Sequence, residues 1–297
     1  MPKIRIEQID KSRLLEIKEF IPEEFDQVAE KFDPETDITW AAINGDKTCG
    51  VVWGHQYEHN KENCFQIVLL KVLSQFRNQG IGTMLFQTAQ EEAEKRSVQV
   101  IRTNFKGNDT LPVAEKILTK YGWKKPEATM YYCESTVDKF FKELSWTNPS
   151  RYASYESYIH PWSEITPEEL ETIRKTEGGY FAQNAESDLL WDKEKVEPVN
   201  SLVLRNGRTL MGWLVTHRHK PDTVHYTSIF IFDEHRGSAL YRAASVKALC
   251  LQKEAGIPKS SWLASAKDKK VLKLWNMLYN RIMTKSDTWY QSEKIQP

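Results

Sequence analysis

The chain has 297 residues, 41 of them basic and 41 acidic, with 40% apolar and 28% charged side chains. That length favours two domains over one, and the cancelled charge argues against a nucleic-acid binder, which ordinarily carries a basic excess or stripe. No stretch reaches the ~18 consecutive apolar residues of a membrane helix, and "MPKIRIEQIDKSR" has no signal-peptide core; a cytoplasmic protein without nucleic-acid or membrane partners is expected.

Ile4 and Ile6 alternate with charged neighbours, which predicts a short strand over residues 3–7. "SRLLEIKEFIPEEFDQVAEKF" reads as helix with a restart at Pro22. "DITWAAINGDKTCGVVWGHQYEH" predicts a hairpin about Asn44-Gly45, a dipeptide suited to tight turns with positive φ. An apolar strand follows and ends in Arg77-Asn78-Gln79-Gly80-Ile81-Gly82, after which Leu85, Ala89 and Ala93 mark one stripe of a helix. "VQVIRTNF" is a strand, "LPVAEKILTKYG" a helix with Pro112 in its first turn, and "TMYYCES" a closing strand.

Asn148-Pro149-Ser150 is a turn signal and sets the expected boundary between domains 1–145 and 150–297. Thr166, Pro167 and Glu169 then supply an N-cap, a first-turn proline and a capping box. The order now repeats. Asn206-Gly207, Gly212 and His217 follow at the intervals of Asn44-Gly45, Gly50 and His55, and both copies carry a Trp near the second glycine, Trp53 and Trp213. "VHYTSIFIF", "DEHRGSAL" and "LYRAASVKALCLQKEAG" give strand, turn and helix again; "SSWLASA", "KKVLKLWNMLYNRIM" and "DTWYQ" complete an internal duplication. Cys49, Cys64, Cys133 and Cys250 form no CxxC pair and are expected to be reduced, structural thiols.

The glycine loop carries the chemistry. A helix N-terminus presents unpaired amides and the positive end of the helix dipole, a seat for phosphate. Gly80 and Gly82 permit positive φ and leave room for an anion, and Arg77 adds a cation. Neither GxGxxG nor GxxxxGK[ST] is present, which argues against a dinucleotide fold or a P-loop.

"VLSQFRNQGIGTMLFQTAQEEA" resembles motif A of the GCN5-related N-acetyltransferases (GNAT), [Q/R]-x-x-G-x-[G/A], with Arg77, Gly80 and Gly82 in its fixed places. "AEKILTKYGW" is similar to the family's later A-x-x-L-Y-x-x-x-G-F segment. The resemblance implies an α/β (α+β) fold of two tandem GNAT-like domains, each a mixed, mostly antiparallel twisted sheet flanked by helices. It implies transfer of an acyl group, most simply acetyl, from acetyl-CoA or another acyl-CoA to a primary amine on a small molecule or peptide. Arg77, Asn78, Gln79, Gly80, Ile81, Gly82 and Thr83 would hold the pyrophosphate, and Leu70, Lys71, Val72 and Leu73 the pantetheine arm.

Two departures matter. Leu118 stands where many family members carry a tyrosine acid, and Tyr121 points elsewhere. In the second copy Tyr279 holds that register, but the loop before it keeps only Arg236 and Gly237 and reads as four residues short; an alternative alignment takes Glu234, Gly237 and Ala239. The first domain is therefore expected to bind coenzyme A and the second to be degenerate. The alternative is a non-catalytic pseudo-acetyltransferase acting as a sensor or interaction module. Catalytic residues stay open: His55, Glu58 and Glu62 are candidate bases as well as plain loop charge. His55 and His59 are read as leaving the strand for a loop, His217 and His219 lack a third ligand, and no metal site is expected. Lys71 is odd in a strand whose face reads Phe65, Ile67 and Leu69. Monomer and homodimer are both compatible with the sequence.

Overall fold

The computed structural model describes residues 4–21, 32–59, 61–107, 110–177, 196–274 and 281–296. The chain forms two compact units, Met1–Thr129 with Thr288–Pro297, and Met130–Asp287.

The sheet of the first unit runs, in spatial order, β1 (Arg5–Ile9), β2 (Asp37–Asn44), β3 (Lys47–His59), β4 (Glu62–Val72) and β5 (Val100–Lys106). The last residues of the chain, in β12 (Lys285–Ile295), pair antiparallel with β5. The pairs are antiparallel except β4 with β5. Gly45, at φ 64°, makes the β2–β3 turn as its dipeptide suggested. One face packs on α1 (Ile81–Lys95) and α2 (Leu111–Lys120), through Ile81, Leu85, Ala89 and Ala93 against Val52, Phe65, Ile67 and Ile101. The other packs Trp53, Val51 and Ala41 on Ile17 and Phe20 of a 3-10 helix, Lys11–Phe20, in place of the expected α-helix. The restart at Pro22 lies outside the described residues.

The second unit repeats this plan. Its sheet runs β7 (Ile159–Pro161), β8 (Leu202–Asn206), β9 (Thr209–Lys220), β10 (Thr223–Ile231), β11 (Lys259–Ser265) and β6 (Glu127–Thr136), with β10 and β11 the parallel pair. The helices are α3 (Val137–Glu143), α4 (Pro167–Glu177), α5 (Leu240–Glu254) and α6 (Lys269–Leu274). The capping box forms at α4: Thr166 N–H donates to Glu169 Oε2 at 2.9 Å, and Glu169 N–H to Thr166 Oγ1 at 3.2 Å. On α5, Leu240, Ala244 and Ala248 repeat the buried stripe of α1.

The units do not divide at residues 148–150, where the turn signal lies. Each half of the sequence surrenders its final strand. Met130–Thr136 pairs with Ser265–Lys259 of β11, and Trp289–Ile295 pairs with Lys106–Val100 of β5. The physical reason is that β5 and β11 would otherwise each end the sheet with an unpaired edge. Lys124 N–H donating to the Glu293 carbonyl, and Lys124 Nζ to Glu293 Oε1 at 2.6 Å, tie the exchanged strand into the first unit.

Candidate functional site

β4 is the element that makes the site. It pairs with β5 only over Cys64–Ile67, opposite Val100–Thr103, and beyond Ile67 no strand among the described residues pairs with its β5-facing edge. The pairing with β3 continues to Gly50↔Val72 but skips Val68: Trp53 faces Leu69 and Gly54 faces Ile67. One extra residue bends a strand and turns later side chains to the opposite face. The two strands therefore part as a fork at Ile67 and Thr103, and Val68–Val72 take no partner from β5.

This bulge corrects the reading of Lys71. Phe65 and Ile67 belong to the core under α1, whereas Leu69 packs with Trp53 on the other face. Lys71 shares that second face, where its Nζ donates to the Glu19 carbonyl at 3.1 Å. Leu73 also packs there, and its N–H donates to Cys49 O. Of the four strand residues expected to meet a pantetheine arm, Leu70 and Val72 thus turn toward Gly82, while Lys71 and Leu73 turn away and leave only backbone at the edge.

After β4 the chain makes a 3-10 turn, Ser74–Phe76, then passes Asn78 at φ 61° and Gly80 at φ 79° before α1 begins. Both lie in the left-handed region, where a side chain costs energy except for Gly and, to a lesser degree, Asn. A Cβ at Gly80 would meet nothing within 4 Å, so the requirement there is backbone shape. A Cβ at Gly82 would sit 3.7 Å from Val72 Cγ2, an ordinary contact. No side chain caps the helix, so the amides of Ile81, Gly82 and Thr83 face the mouth of the loop without an intrahelical acceptor. Arg77 folds back, Nε donating to the Val72 carbonyl at 3.1 Å, and Gln79 is exposed.

The second unit carries the same frame with different residues. The bulge falls at Thr227, the parallel pairing again spans four residues, Thr223–Tyr226 with Lys259–Trp262, and Arg236 Nε donates to Ile231 O at 3.2 Å. No loop residues are missing: Val72 to Ile81 and Ile231 to Leu240 are equally long, so Arg236 answers Arg77 and Gly237 answers Asn78. The positions of Gly80 and Gly82 fall on Ala239, at φ −78°, and on Tyr241, which is 41% exposed. Arg236 also pairs with Asp233 at 2.5 Å, where the first loop has neutral Ser74. The alternative alignment on Glu234 is not the structural one.

On the face of the first sheet opposite α1, polar residues stand side by side at the fork. Asp37 faces His55, His55 faces Gln66, Gln66 faces Arg102 and Arg102 faces Glu293, one from each of five strands. Asp37 accepts from His55 Nδ1 at 2.9 Å, Trp53 Nε1 at 3.0 Å and the Asp33 amide at 2.9 Å. Burial pushes the Asp37 carboxyl up, but these three donors outweigh it and hold the group below its ordinary value. Arg102 donates to Tyr57 Oη at 3.2 Å and to Glu293 Oε2 at 3.3 Å. Bonds from Lys124 oppose burial and, with Arg102, lower the Glu293 carboxyl; burial raises the Tyr57 hydroxyl.

β3 continues through His59, so His55 lies within a strand rather than at its exit; Glu58 and Glu62 are exposed. Leu118 is buried in the core and Tyr121 packs on Phe86, so neither offers an acid at the fork. Tyr279 and the side chain of His219 lie outside the described residues. Among the described residues no group of His, Cys, Asp and Glu could hold a metal ion, and no helix is long and apolar enough to cross a membrane. The four cysteines are free.

Residues 6–113 match the model of the acetyltransferase (GNAT) family. The matched segment carries β1–β5, the glycine loop and α1, so the likeness to GNAT acetyltransferases rests on the first unit. A tandem GNAT protein from the clavulanic acid biosynthesis pathway superposes over 99% of both chains at a TM-score of 0.68 and 14% identity. A GCN5-related N-acetyltransferase from Sphaerobacter thermophilus gives 0.63 at 11%, covering 99% of this chain and 96% of its own. A third likeness is to a fungal multi-domain beta-N-acetylglucosaminidase with a GCN5-related glucosamine N-acetyltransferase region (0.67, 14%, 99% of this chain); this chain spans only 38% of that protein. No curated protein gives a significant match. These likenesses extend the GNAT fold across both units. Sequence reasoning located the glycine loop of the first unit but missed Asp37 as the partner of His55, which only the hairpin register could have indicated.

Proposed function

We propose that the protein is an N-acyltransferase, most simply an N-acetyltransferase, that moves an acyl group from acyl-CoA to a primary amine, using the first unit as its cofactor site. The observation carrying this reading is the junction of the β4 edge beyond Ile67, unpaired among the described residues, with the uncapped, glycine-bearing N-terminus of α1. Ile81, Gly82 and Thr83 amides would hold a pyrophosphate, and the open space at Gly80 leaves room for it. Peptide groups of Val68–Val72 would pair with the amides of a pantetheine arm as another strand does. Those five residues span about 16 Å, which takes the arm from the loop to the fork. Bound there, acyl-CoA supplies an activated carbonyl; the chain's part is to fix it beside the acceptor and to manage protons.

The match of residues 6–113 to the GNAT family model supports the reaction class, and the loop differences at Ala239 and Tyr241 favour a single cofactor site. The buried Leu118 favours the second reading, a coenzyme A-binding sensor, because the family's usual acid is missing. The protein is proposed to work in the cytoplasm as a monomer or homodimer. Calorimetric titration of acetyl-CoA into the wild type and Gly80→Glu tests the site, with binding expected only in the former. Absence of binding by the wild type overturns both readings, and unchanged binding by the variant moves the site elsewhere. Thiol release over a panel of amines (spermidine, glucosamine, lysine and a free-N-terminus peptide) separates enzyme from sensor.

A further inference from the structure

The row of polar residues at the fork has a use that the family motif does not cover. We propose that His55 is the base that accepts the proton of the acceptor amine, with Asp37 as its positioning residue. This rests on the acyltransferase reading and adds the acceptor side to it.

Three observations carry it. First, His55 Nδ1 lies 2.9 Å from Asp37 Oδ1, and Asp37 is a buried carboxylate already held by two other N–H donors. The ionised acid fixes Nδ1 as the protonated nitrogen, leaving the lone pair on Nε2, where a base needs it. Second, His55 is 40% exposed on its side chain, and Nε2 has no partner among the described residues. It can therefore reach an incoming amine, whereas Asp37, at 8%, cannot. Third, His55 faces Gln66, the residue before the fork, and Gln66 faces Arg102. Strands lie about 4.8 Å apart, so His55 Cα stands one strand from β4 and the carbonyl that the fork would hold.

The second unit supplies an internal comparison. His217 occupies the place of His55, but Val196 bridges opposite it where Asp37 would be, and His217 is buried with Nδ1 bonded to Thr227 Oγ1 at 2.6 Å. The unit that lost the glycines also lost the acid that orients the histidine.

The amine arrives as R–NH3+; His55 Nε2 takes one proton and becomes imidazolium. The freed nitrogen lone pair forms the C–N bond, the C–S bond breaks, and its electron pair leaves on the thiolate of coenzyme A. The thiolate gains the proton shed by the new amide nitrogen, and His55 returns its own to water. The charged and titratable groups in the row of His55 are Asp37 on β2, Tyr57 stacked beside it on β3, Arg102 on β5 and Glu293 on β12, while β4 sets the neutral Gln66 opposite it.

The test uses the full chain, acetyl-CoA and the amine panel above. His55→Gln is expected to bind acetyl-CoA as the wild type does while losing about 10²- to 10⁴-fold in kcat, with the imidazole limb of its pH profile gone. Asp37→Asn is expected to lose less, and ring 15N correlation spectra should show the His55 proton on Nδ1 in the wild type and redistributed in the variant. The wild-type spectrum needs neither turnover nor a variant, so it tests the tautomer even where Asp37→Asn folds poorly. Wild-type kcat and pH profile in His55→Gln overturn the proposal, as does a wild-type spectrum with the proton on Nε2. Acetyl-CoA binding without acetylation of any amine overturns both the transfer reading and this one; no acetyl-CoA binding overturns the cofactor site itself.

Discussion

Gly80 and Gly82 look equivalent in the sequence, yet the structure assigns them different physics, which two alanine substitutions separate. At Gly80 the backbone holds φ 79° and no atom lies within 4 Å of where a Cβ would stand, so Gly80→Ala costs only backbone strain. That is about 1–2 kcal/mol for an L-residue in the left-handed region. For a unit of this size it lowers Tm by roughly 3–8 °C. At Gly82 a Cβ would touch Val72 Cγ2 at 3.7 Å and Leu70 Cδ2 at 3.9 Å, both comfortable, and the residue already lies in α1. Gly82→Ala should leave stability unchanged or raise it by up to ~1 kcal/mol through helix propensity. Gly82→Tyr, which copies Tyr241, should fold but lose acetyl-CoA binding because the ring occupies the amide mouth. Thermal unfolding with and without acetyl-CoA reads all three. A Gly80→Ala protein as stable as the wild type refutes the backbone argument, and a Gly82→Ala protein destabilised by more than Gly80→Ala refutes the steric one.

Deleting residues 288–297 should unfold the first unit, although those residues end the second half of the sequence, because β5 loses its partner strand and Arg102 and Lys124 lose Glu293; amide hydrogen exchange over 100–106 reports it. Arg218→Ala should cost about 1–3 kcal/mol in chemical denaturation, since it strips the 2.6 Å partner from Glu197, a carboxylate only 4% exposed. Asp37 titrates lower folded than unfolded, so its contribution is present above the unfolded value and disappears as pH falls through the folded one. Acid unfolding curves of the wild type and Asp37→Asn should therefore converge at low pH and separate above it.

What the sequence made legible was local. Asn44-Gly45 and Asn206-Gly207 turned where expected, at φ 64° and 59°, and the equal intervals to His55 and His217 proved to be equal places in the two sheets. The capping box at Thr166 formed because its two bonds join residues three apart. What stayed hidden depended on distant partners. The closing strands after α2 and before the chain end have similar patterns, and nothing local tells Tyr131 to pair with Ala264 or Tyr290 with Phe105. The bulge at Val68 was masked by an unbroken apolar run, "IVLL", in which no alternation marks a change of face. Asp37 lies eighteen residues before His55, and only hairpin register brings them level.

The second unit also changes which residues signal an anion site. Arg77 fills a motif position and invites the reading of a phosphate ligand. Yet Arg236 makes the same bond, Nε to the carbonyl five residues back, in a loop that has lost both glycines. A contact kept where the motif has decayed belongs to folding: it closes the turn between strand and helix in each unit. The bulge, the four-residue parallel pairing and the positive φ at Asn78 and Gly237 are kept likewise. What differs is Gly80, Gly82 and Asp37, which the second unit replaces with Ala239, Tyr241 and Val196. None of the three is needed to build the second sheet, since that sheet is built without them. Their presence in the first unit therefore needs another reason, and an anion at the helix N-terminus with a proton acceptor at the fork supplies it.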